Sequence, residues 1–290
     1  MTLRKAVIPV AGFGTRMLPA AKAVPKELLP VLDRPTVQYV VEEAAAAGID
    51  DVLLVTSREK KAIEDHFDRS PELEARLRAG GKDSLLASVT ELAARVKIHS
   101  VRQAEQRGLG DAVFQAKHHV GNESFLCMLG DTIFSGDLLP AAQLTRAHEQ
   151  LGTCIIGLEE VPSEKVSRYG IVGGTPVSDG IIRINALVEK PSIESAPSRL
   201  AIAARYVLPS TIFDCLEKTA PGKGGEIQLT DALRLLLERE PIHGVILQSA
   251  RHDIGNPLDW LKTNLIFASR DPAMRNALLL LLRQIVGDKL

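Results

Sequence analysis

The sequence predicts an α/β protein with a mixed, mainly parallel sheet flanked by helices and a small β-rich extension. Three observations carry this. Short apolar runs alternate with helical stretches across residues 5–129, the pattern of βαβ units. The second half is dominated by β-like runs separated by Gly-Gly and Asp-Gly turns. No linker, low-complexity tract or internal repeat interrupts the 290 residues, and their 45% hydrophobic content suffices for a substantial core, so one unit is expected.

The elements follow in order. KAVIPVAG, residues 5–12, reads as a buried strand. Residues 36–48 read as a helix: Val37, Val40, Val41 and Ala44 form one apolar stripe, and Gly48 is a natural stop. DVLLVT, residues 51–56, is a second strand, and residues 58–66 are a polar helix. Residues 96–101 and 125–129 are strand-like, with a helix over 110–118 between them. Further strands are expected at 154–158, 169–172, 181–188 and 201–207. This divides the single unit into parts at about 1–135, 136–265 and a helical tail over 266–290. In the tail, Leu278 to Leu282 are five consecutive leucines that would cover the whole circumference of a helix. A core helix and a helix in a subunit contact fit this equally.

Composition excludes some partners. The net charge is −1, from 35 basic and 36 acidic residues, so no global field attracts nucleic acid or an anionic membrane. Any anion site must be local. Cys127, Cys154 and Cys215 lie in apolar surroundings without metal-like spacing and read as reduced core thiols. The N-terminus lacks the long apolar core of a secretory signal, and no segment reaches the roughly 18 to 20 apolar residues of a membrane span. A soluble, cytoplasmic protein is expected.

The stretch AGFGTRMLPAAKAVPKELLP, residues 11–30, follows the first strand. Gly12 and Gly14 would let the backbone approach a phosphate and point N–H groups at it. Alone, they fit a tight structural turn equally well. The loop lacks the third glycine of the dinucleotide fingerprint, since position 17 is methionine, and no Gly-Lys-Ser/Thr follows. Arg16 and Lys26 flank a proline-punctuated segment, and two cations held on a loop with several N–H donors suit a polyphosphate. Asp131 follows an apolar run and a glycine, where a central strand would end. Mg²⁺ takes one or two carboxylates, with phosphate and water completing its shell. Asp253 is a second carboxylate, in a Gly/Asn/Pro-rich stretch where a turn or cap residue is the simpler reading. Glu189 and Lys190 in ALVEKP fit a sugar phosphate, though a strand-end salt bridge explains them at least as well. The seven histidines form no Ser-His-Asp or Cys-His set. Transfer to a phosphate nucleophile needs none, because that oxygen is already anionic.

Taken together, these residues resemble the bacterial-type UTP–glucose-1-phosphate uridylyltransferases, sugar nucleotidyltransferases also called UDP-glucose pyrophosphorylases. The similarity runs from KAVIPVAGFGTRMLPAAKAVPKELLP through VRQAEQRGLGDAV, LGDTIF, SRYGIV, LVEKP, ARYVL and GGEIQLTDA to HDIGN, about residues 4–265. The resemblance implies a Rossmann-like fold and Mg²⁺-dependent conversion of UTP and glucose 1-phosphate to UDP-glucose and pyrophosphate, in a homo-oligomer (dimer or tetramer). By matching motif, Ala11, Gly12, Gly14, Gln103 and Gly108 would hold the nucleotide. Arg16 and Lys26 would hold the triphosphate, and Asp131 and Asp253 the metal. Gly170 and Glu189 would hold glucose and Lys190 its phosphate. The sequence departs from the common pattern at Asp111, where many relatives have histidine, and at Ala21, Val24 and Thr132. Asp111 leaves base or sugar preference open. The alternatives are the same chemistry with dTTP or another hexose 1-phosphate, a non-catalytic regulatory relative, and a dinucleotide-binding oxidoreductase.

Overall fold

In this computed structural model, which describes residues 3–287, the first apolar run forms strand β1 (Lys5–Pro9). A short hairpin of β2 (Pro30–Val31) and β3 (Arg34–Pro35) follows the opening loop. Next come β4 (Asp51–Thr56), β5 (Lys97–Arg102), β6 (Phe125–Met128) and β7 (Thr132–Ser135). The second half supplies β8 (Cys154–Glu160), β9 (Gly170–Ser178), β10 (Ile181–Glu189), β11 (Leu200–Leu208), β12 (Ile242–Ile246) and β13 (Ala250–Asp253).

Nine strands form the main sheet in the order β5-β4-β1-β6-β11-β8-β12-β10-β9. Strands β5, β4, β1 and β6 run parallel, as the βαβ pattern predicts, and β12 runs parallel to β8. The expectation of a mainly parallel sheet needs correction, because the other pairings are antiparallel and outnumber these. Strand β11 inserts between β6 and β8 in the opposite sense, and β9–β10 is a hairpin that needs no crossover. Strand β9 also pairs back onto β11, so β8, β12, β10, β9 and β11 form a closed ring of pairings.

Both faces of the first-half sheet are buried. Val7, Leu53, Val55, Phe125 and Cys127 face a core completed by helices Ile212–Lys218 and Leu229–Leu237. Their alternates Ala6, Ile8, Val52, Leu54, Leu126 and Met128 face a second core, under helices Thr36–Ala46 and Pro140–Leu151. Each strand's period-two alternation thus serves two layers. All three cysteines are free and buried, and burial pushes the Cys127 thiol up to about 12.

Helices Pro71–Ala79 and Asp83–Arg95 lie where the sequence pattern predicts no element. The first buries only Glu74 and the second no residue, so neither leaves a core stripe to read. The leucine-rich tail forms helix Arg275–Val286, against helix Pro257–Arg270. It is not a core helix: Leu279, Leu280, Leu281 and Ile285 are exposed, Leu280 by 61%. Among the described residues, no helix is long and apolar enough to cross a membrane.

Candidate active site

Parallel strands β1, β5 and β6 lead into Ala11-Gly12, Gln103 and Asp131, and antiparallel strands β13 and β10 end at Asp253 and Glu189. After β1, the Val10 N–H donates to the Val55 carbonyl at 2.9 Å, and the chain then leaves the sheet at Ala11 and Gly12. A Cβ added at Gly12 meets no atom within 4 Å, so nothing in the protein demands a glycine there and the space is open. Gly14 is different. Its φ of +67° is left-handed, and a Cβ there would sit 3.3 Å from the Lys26 stem. The loop continues through 3₁₀ turns at Thr15–Met17, Ala20–Lys22 and Lys26–Leu28. Glu27, 2% exposed, pairs with Lys60 at 2.5 Å and anchors the last turn below the surface. Burial pushes its carboxyl up against the pull of Lys60 and Lys26.

That anchor holds the neighbouring Lys26, whose Nζ lies 2.5 Å from Asp131 Oδ2. Burial opposes the charge on Lys26, but Asp131 and Glu27 outweigh it and raise the ammonium above its ordinary value. Burial likewise opposes ionisation of Asp131, and Lys26 and Arg16 outweigh it, so its carboxyl is lowered. Strands β7 and β13 pair Thr132 with Asp253, and the Ile254 N–H donates to the Asp131 carbonyl at 2.9 Å. This brings the second carboxylate to the first. Asp253 is raised by burial and then by the Asp131 charge, with Arg16 and Arg251 opposing. Arg16 is exposed and makes no ion pair among the described residues; its Nη2 lies 2.6 Å from where a Gly255 side chain would begin. Asp253 is therefore more than a turn residue: it ends a strand inside a cluster of two carboxylates and two cations.

The raised Asp253 carboxyl has a measurable consequence. Between its unfolded and folded pKa values the folded state keeps a proton that the unfolded chain has released, so stability falls as pH rises through that window. Above both values the cost is fully present. Asp253→Asn should raise the ligand-free melting temperature at pH 7, with the gain vanishing below the unfolded carboxylate value of about 3.9. Thermal unfolding from pH 3.5 to 8 checks this; an equal gain at every pH would refute the raised Asp253 carboxyl.

Two further groups flank the cluster. Gln103 follows β5 and is 3% exposed; its backbone N–H donates to the Thr56 carbonyl at 2.8 Å. Gly108, at φ +102°, lies where a Cβ would come within 2.7 Å of the Ile227 carbonyl, so only glycine fits. On the other flank, Gly170 pairs in register with Glu189. Glu189 Oε2 accepts from Thr230 Oγ1 at 2.8 Å, and Lys190 Nζ lies 3.1 Å from Glu189 Oε1. The strand-end salt bridge is thus present. Ala201 of β11 sits beside Ile171 and Arg205 beside Met128, so one short stretch of β11 carries both the Gly170–Glu189 pair and the turn into Asp131.

Three residues important to this geometry carry no clear sequence signal. Arg205, 0% exposed, donates to both Glu43 carboxylate oxygens, at 3.2 and 2.8 Å. It also donates to the carbonyls of Leu129, at 3.3 Å, and Thr132, at 2.8 Å, bracketing Gly130-Asp131. Thr230 orients Glu189. Arg251 lies over the Tyr169 ring at 4.4 Å and pairs with Glu159. Gly12, Asp131, Glu189 and Lys190 were legible from their positions after apolar runs, and Gln103, Gly108 and Gly170 only from the family resemblance; these three sit within strand or helix patterns.

Comparison with known proteins finds relatives over nearly the whole chain. Residues 5–270 match the nucleotidyl transferase family. The UTP–glucose-1-phosphate uridylyltransferase YngB of Bacillus subtilis is 47% identical over 284 residues, spanning 98% of this chain and 96% of that one. A uridylyltransferase of Staphylococcus saprophyticus is 46% identical over 275 residues, 95% of this chain and 96% of its own. Among solved structures, the UTP-bound enzyme from Acinetobacter baumannii superposes with a TM-score of 0.89 at 38% identity, covering 99% of this chain and 100% of that one. A UDP-glucose pyrophosphorylase complexed with UDP-glucose gives 0.86 at 36% identity, over 93% and 100%. With a single-family match over most of its length and near-complete coverage of these relatives, the chain belongs to the nucleotidyl transferase family, among its UTP–glucose-1-phosphate uridylyltransferases.

Proposed function

We propose that the protein transfers UMP from UTP to α-D-glucose 1-phosphate, releasing pyrophosphate, and that the residues named above perform it. The observation that carries this is the cluster of Lys26, Asp131, Asp253 and Arg16, with Arg16 and Lys26 on the same loop as Gly12, whose side-chain space is open. In the reaction, a phosphate oxygen of glucose 1-phosphate attacks the α-phosphorus in line. The new O–P bond forms as the bond to the bridging oxygen breaks, and pyrophosphate departs with the electron pair. The nucleophile is already anionic, so positioning and charge neutralisation suffice.

Ala11, Gly12 and Gly14 bring the backbone to the nucleotide, and Gln103 and Gly108 take the base side. Arg16 and Lys26 take up charge on the triphosphate and the leaving pyrophosphate. Glu189, oriented by Thr230, accepts from glucose hydroxyls beside the Gly170 backbone. Lys190 neutralises the sugar phosphate. Asp131 and Asp253 fit Mg²⁺: two carboxylates are what this ion usually takes from a protein, and their mutual repulsion is what a cation would relieve. When bound, Mg²⁺ supplies charge neutralisation beside the phosphates. On this assignment residues 1–135 handle the nucleotide and 136–265 the sugar phosphate. The exposed leucines of helix Arg275–Val286 support a homo-oligomer, dimer or tetramer. The near-neutral net charge and the three free, buried cysteines support a soluble, cytoplasmic protein.

Pyrophosphate release across a panel of nucleotides and sugar phosphates tests the function. UTP with glucose 1-phosphate should be the fastest pair, and dTTP outrunning UTP at equal concentration would overturn it. Lys190→Ala should raise KM for glucose 1-phosphate at least about tenfold, the scale of one charge-assisted contact, with KM for UTP nearly unchanged.

A further inference from the structure

We propose that Asp111 is a positioning residue that locks the carboxamide of Gln103 in one orientation and so selects nucleotides whose base carries an imide N–H. Gln103 Nε2 donates to Asp111 Oδ2 at 2.7 Å and to the Gly108 carbonyl at 3.2 Å. Carboxylate and carbonyl oxygens only accept, so the end of the amide facing them must be the nitrogen. The amide oxygen is left for the other side. No hydrogen bond from the described residues reaches Oε1, and it is not an atom sealed from solvent, although Gln103 is 97% buried as a residue. A buried side chain with one polar end saturated and the other unpartnered is built to meet a ligand.

Asp111 is itself held. Its other oxygen, Oδ1, accepts from Arg107 Nη2 at 2.9 Å, four residues back and ahead of the helix Leu109–Phe114, and its side chain is 4% exposed. Arg107 therefore compensates the carboxylate that the sequence places unexpectedly beside the nucleotide loop. The loop is clamped as well: the Ile227 N–H donates to the Arg107 carbonyl at 2.7 Å, and the Gly110 N–H to the Ile227 carbonyl at 2.8 Å. Arg107, Asp111 and Gln103 form a chain in which each donor has a fixed acceptor, with no freedom for the amide to turn over. Reversing it would set Oε1 against the Asp111 carboxylate and leave both groups unsatisfied.

The consequence is a selection rule. An amide oxygen accepts from N3–H of uracil or thymine. Cytosine in the same pose offers an N3 lone pair, and two acceptors then face each other. A site that leaves a buried acceptor unpaired or opposed discriminates more strongly than one that merely lacks a contact. The lock does not separate uracil from thymine, since both carry the imide N–H.

The proposal rests on Gln103 holding the base, and the experiment separates the two ideas. Purified wild type, Asp111→Asn and Asp111→Ala are compared by kcat/KM for UTP and for CTP with glucose 1-phosphate. Asparagine is isosteric and presents either a donor or an acceptor, so Gln103 becomes free to turn; alanine leaves only the Gly108 carbonyl to orient it. The expected result is a fall of at least tenfold in the UTP-to-CTP ratio in both variants, chiefly through KM, a change that a merely structural role would not produce. An unchanged ratio in the variants that fold overturns the lock, and so does failure of both to fold, which would make Asp111 structural. Gln103→Leu runs beside them. If it leaves KM for UTP unchanged, Gln103 does not hold the base, and that failure is visible whatever the Asp111 variants do.

Discussion

Asp131→Ala should lower kcat by on the order of 10³-fold or more while the protein remains folded. The rate estimate comes from scale: electrostatic groups aimed at developing charge in a phosphoryl-type transition state contribute several kcal/mol, and about 4 kcal/mol is a thousandfold. Asp131 is the carboxylate best placed for this, because it lies on the turn leaving β6 with Lys26 Nζ at 2.5 Å and Asp253 on the adjoining strand. Folding should survive for an equally physical reason. Lys26 loses its closest partner but keeps the Glu27 carboxylate nearby and 14% side-chain exposure, so the stability cost should be about 1–3 kcal/mol, the range for a polar group deprived of a buried partner. There is also a partial relief, since the Asp253 carboxyl loses the neighbour that helps push it up. The loss should depend on pH with a definite sign. Asp131 titrates lower folded than unfolded, so its stabilisation is present above the unfolded carboxylate value and lost as pH falls through the folded one. Steady-state rates over a Mg²⁺ series, with urea unfolding at pH 7 and in the acid range, check both parts. Near-normal Mg²⁺-dependent turnover would refute the role of Asp131.

The half of this protein built by local rules was legible in its sequence. Strand β4 spans Asp51–Thr56 as its apolar run predicts, and the helix beginning at Thr36 buries Val37, Val40, Val41 and Ala44, the predicted stripe. Gly12, Asp131 and Glu189 stand out for one reason: polar or flexible residues directly after an apolar run mark strand ends, where open α/β sheets bind ligands. What escaped was set by partners distant along the chain. Nothing in the apolar run of β11 says that it will lie between β6 and β8, or that its first residues will also pair with β9. A parallel or antiparallel choice is decided by which strand is adjacent, and periodicity does not encode adjacency. The same limit hid Glu43 and Arg205. Glu43 sits in VEEAAAA, where it looks like a solvated helix acid, and Arg205 interrupts a strand run as an edge residue would. Their burial is a property of the pair, 162 positions apart. Asp111 shows the intermediate case: its departure from the common family pattern was visible, but what it does depends on Gln103 and Arg107 folding around it.

Arg205→Met should destabilise the protein by about 3–5 kcal/mol, the cost of leaving one member of a buried ion pair without its partner. Glu43 is 3% exposed; without Arg205 it keeps, among the described residues, only the Ala141 N–H, at 3.0 Å. The guanidinium does more than pair. Its donors go to Glu43 and to the carbonyls of Leu129, Ala204 and Thr132, and it lies 4.9 Å from the Phe134 ring centre. Two of those carbonyls flank Gly130-Asp131, so the same substitution frees the turn that presents the carboxylate proposed to hold the metal. Stability and catalysis can be separated by the double variant Glu43→Leu/Arg205→Met, which replaces the pair with apolar groups of similar size. Buried pairs replaced in this way often cost little. The double variant should therefore recover most of the stability lost in Arg205→Met, measured by urea midpoint. It should not recover kcat, because methionine cannot donate to the Leu129 and Thr132 carbonyls that hold the turn. A double variant restored in both respects would mean that packing alone positions Asp131; one restored in neither would mean that the ion pair is needed to form the core around β11. The specific expectation, stability regained and turnover still low, follows from a guanidinium whose five N–H donors serve a salt bridge and an active-site turn together.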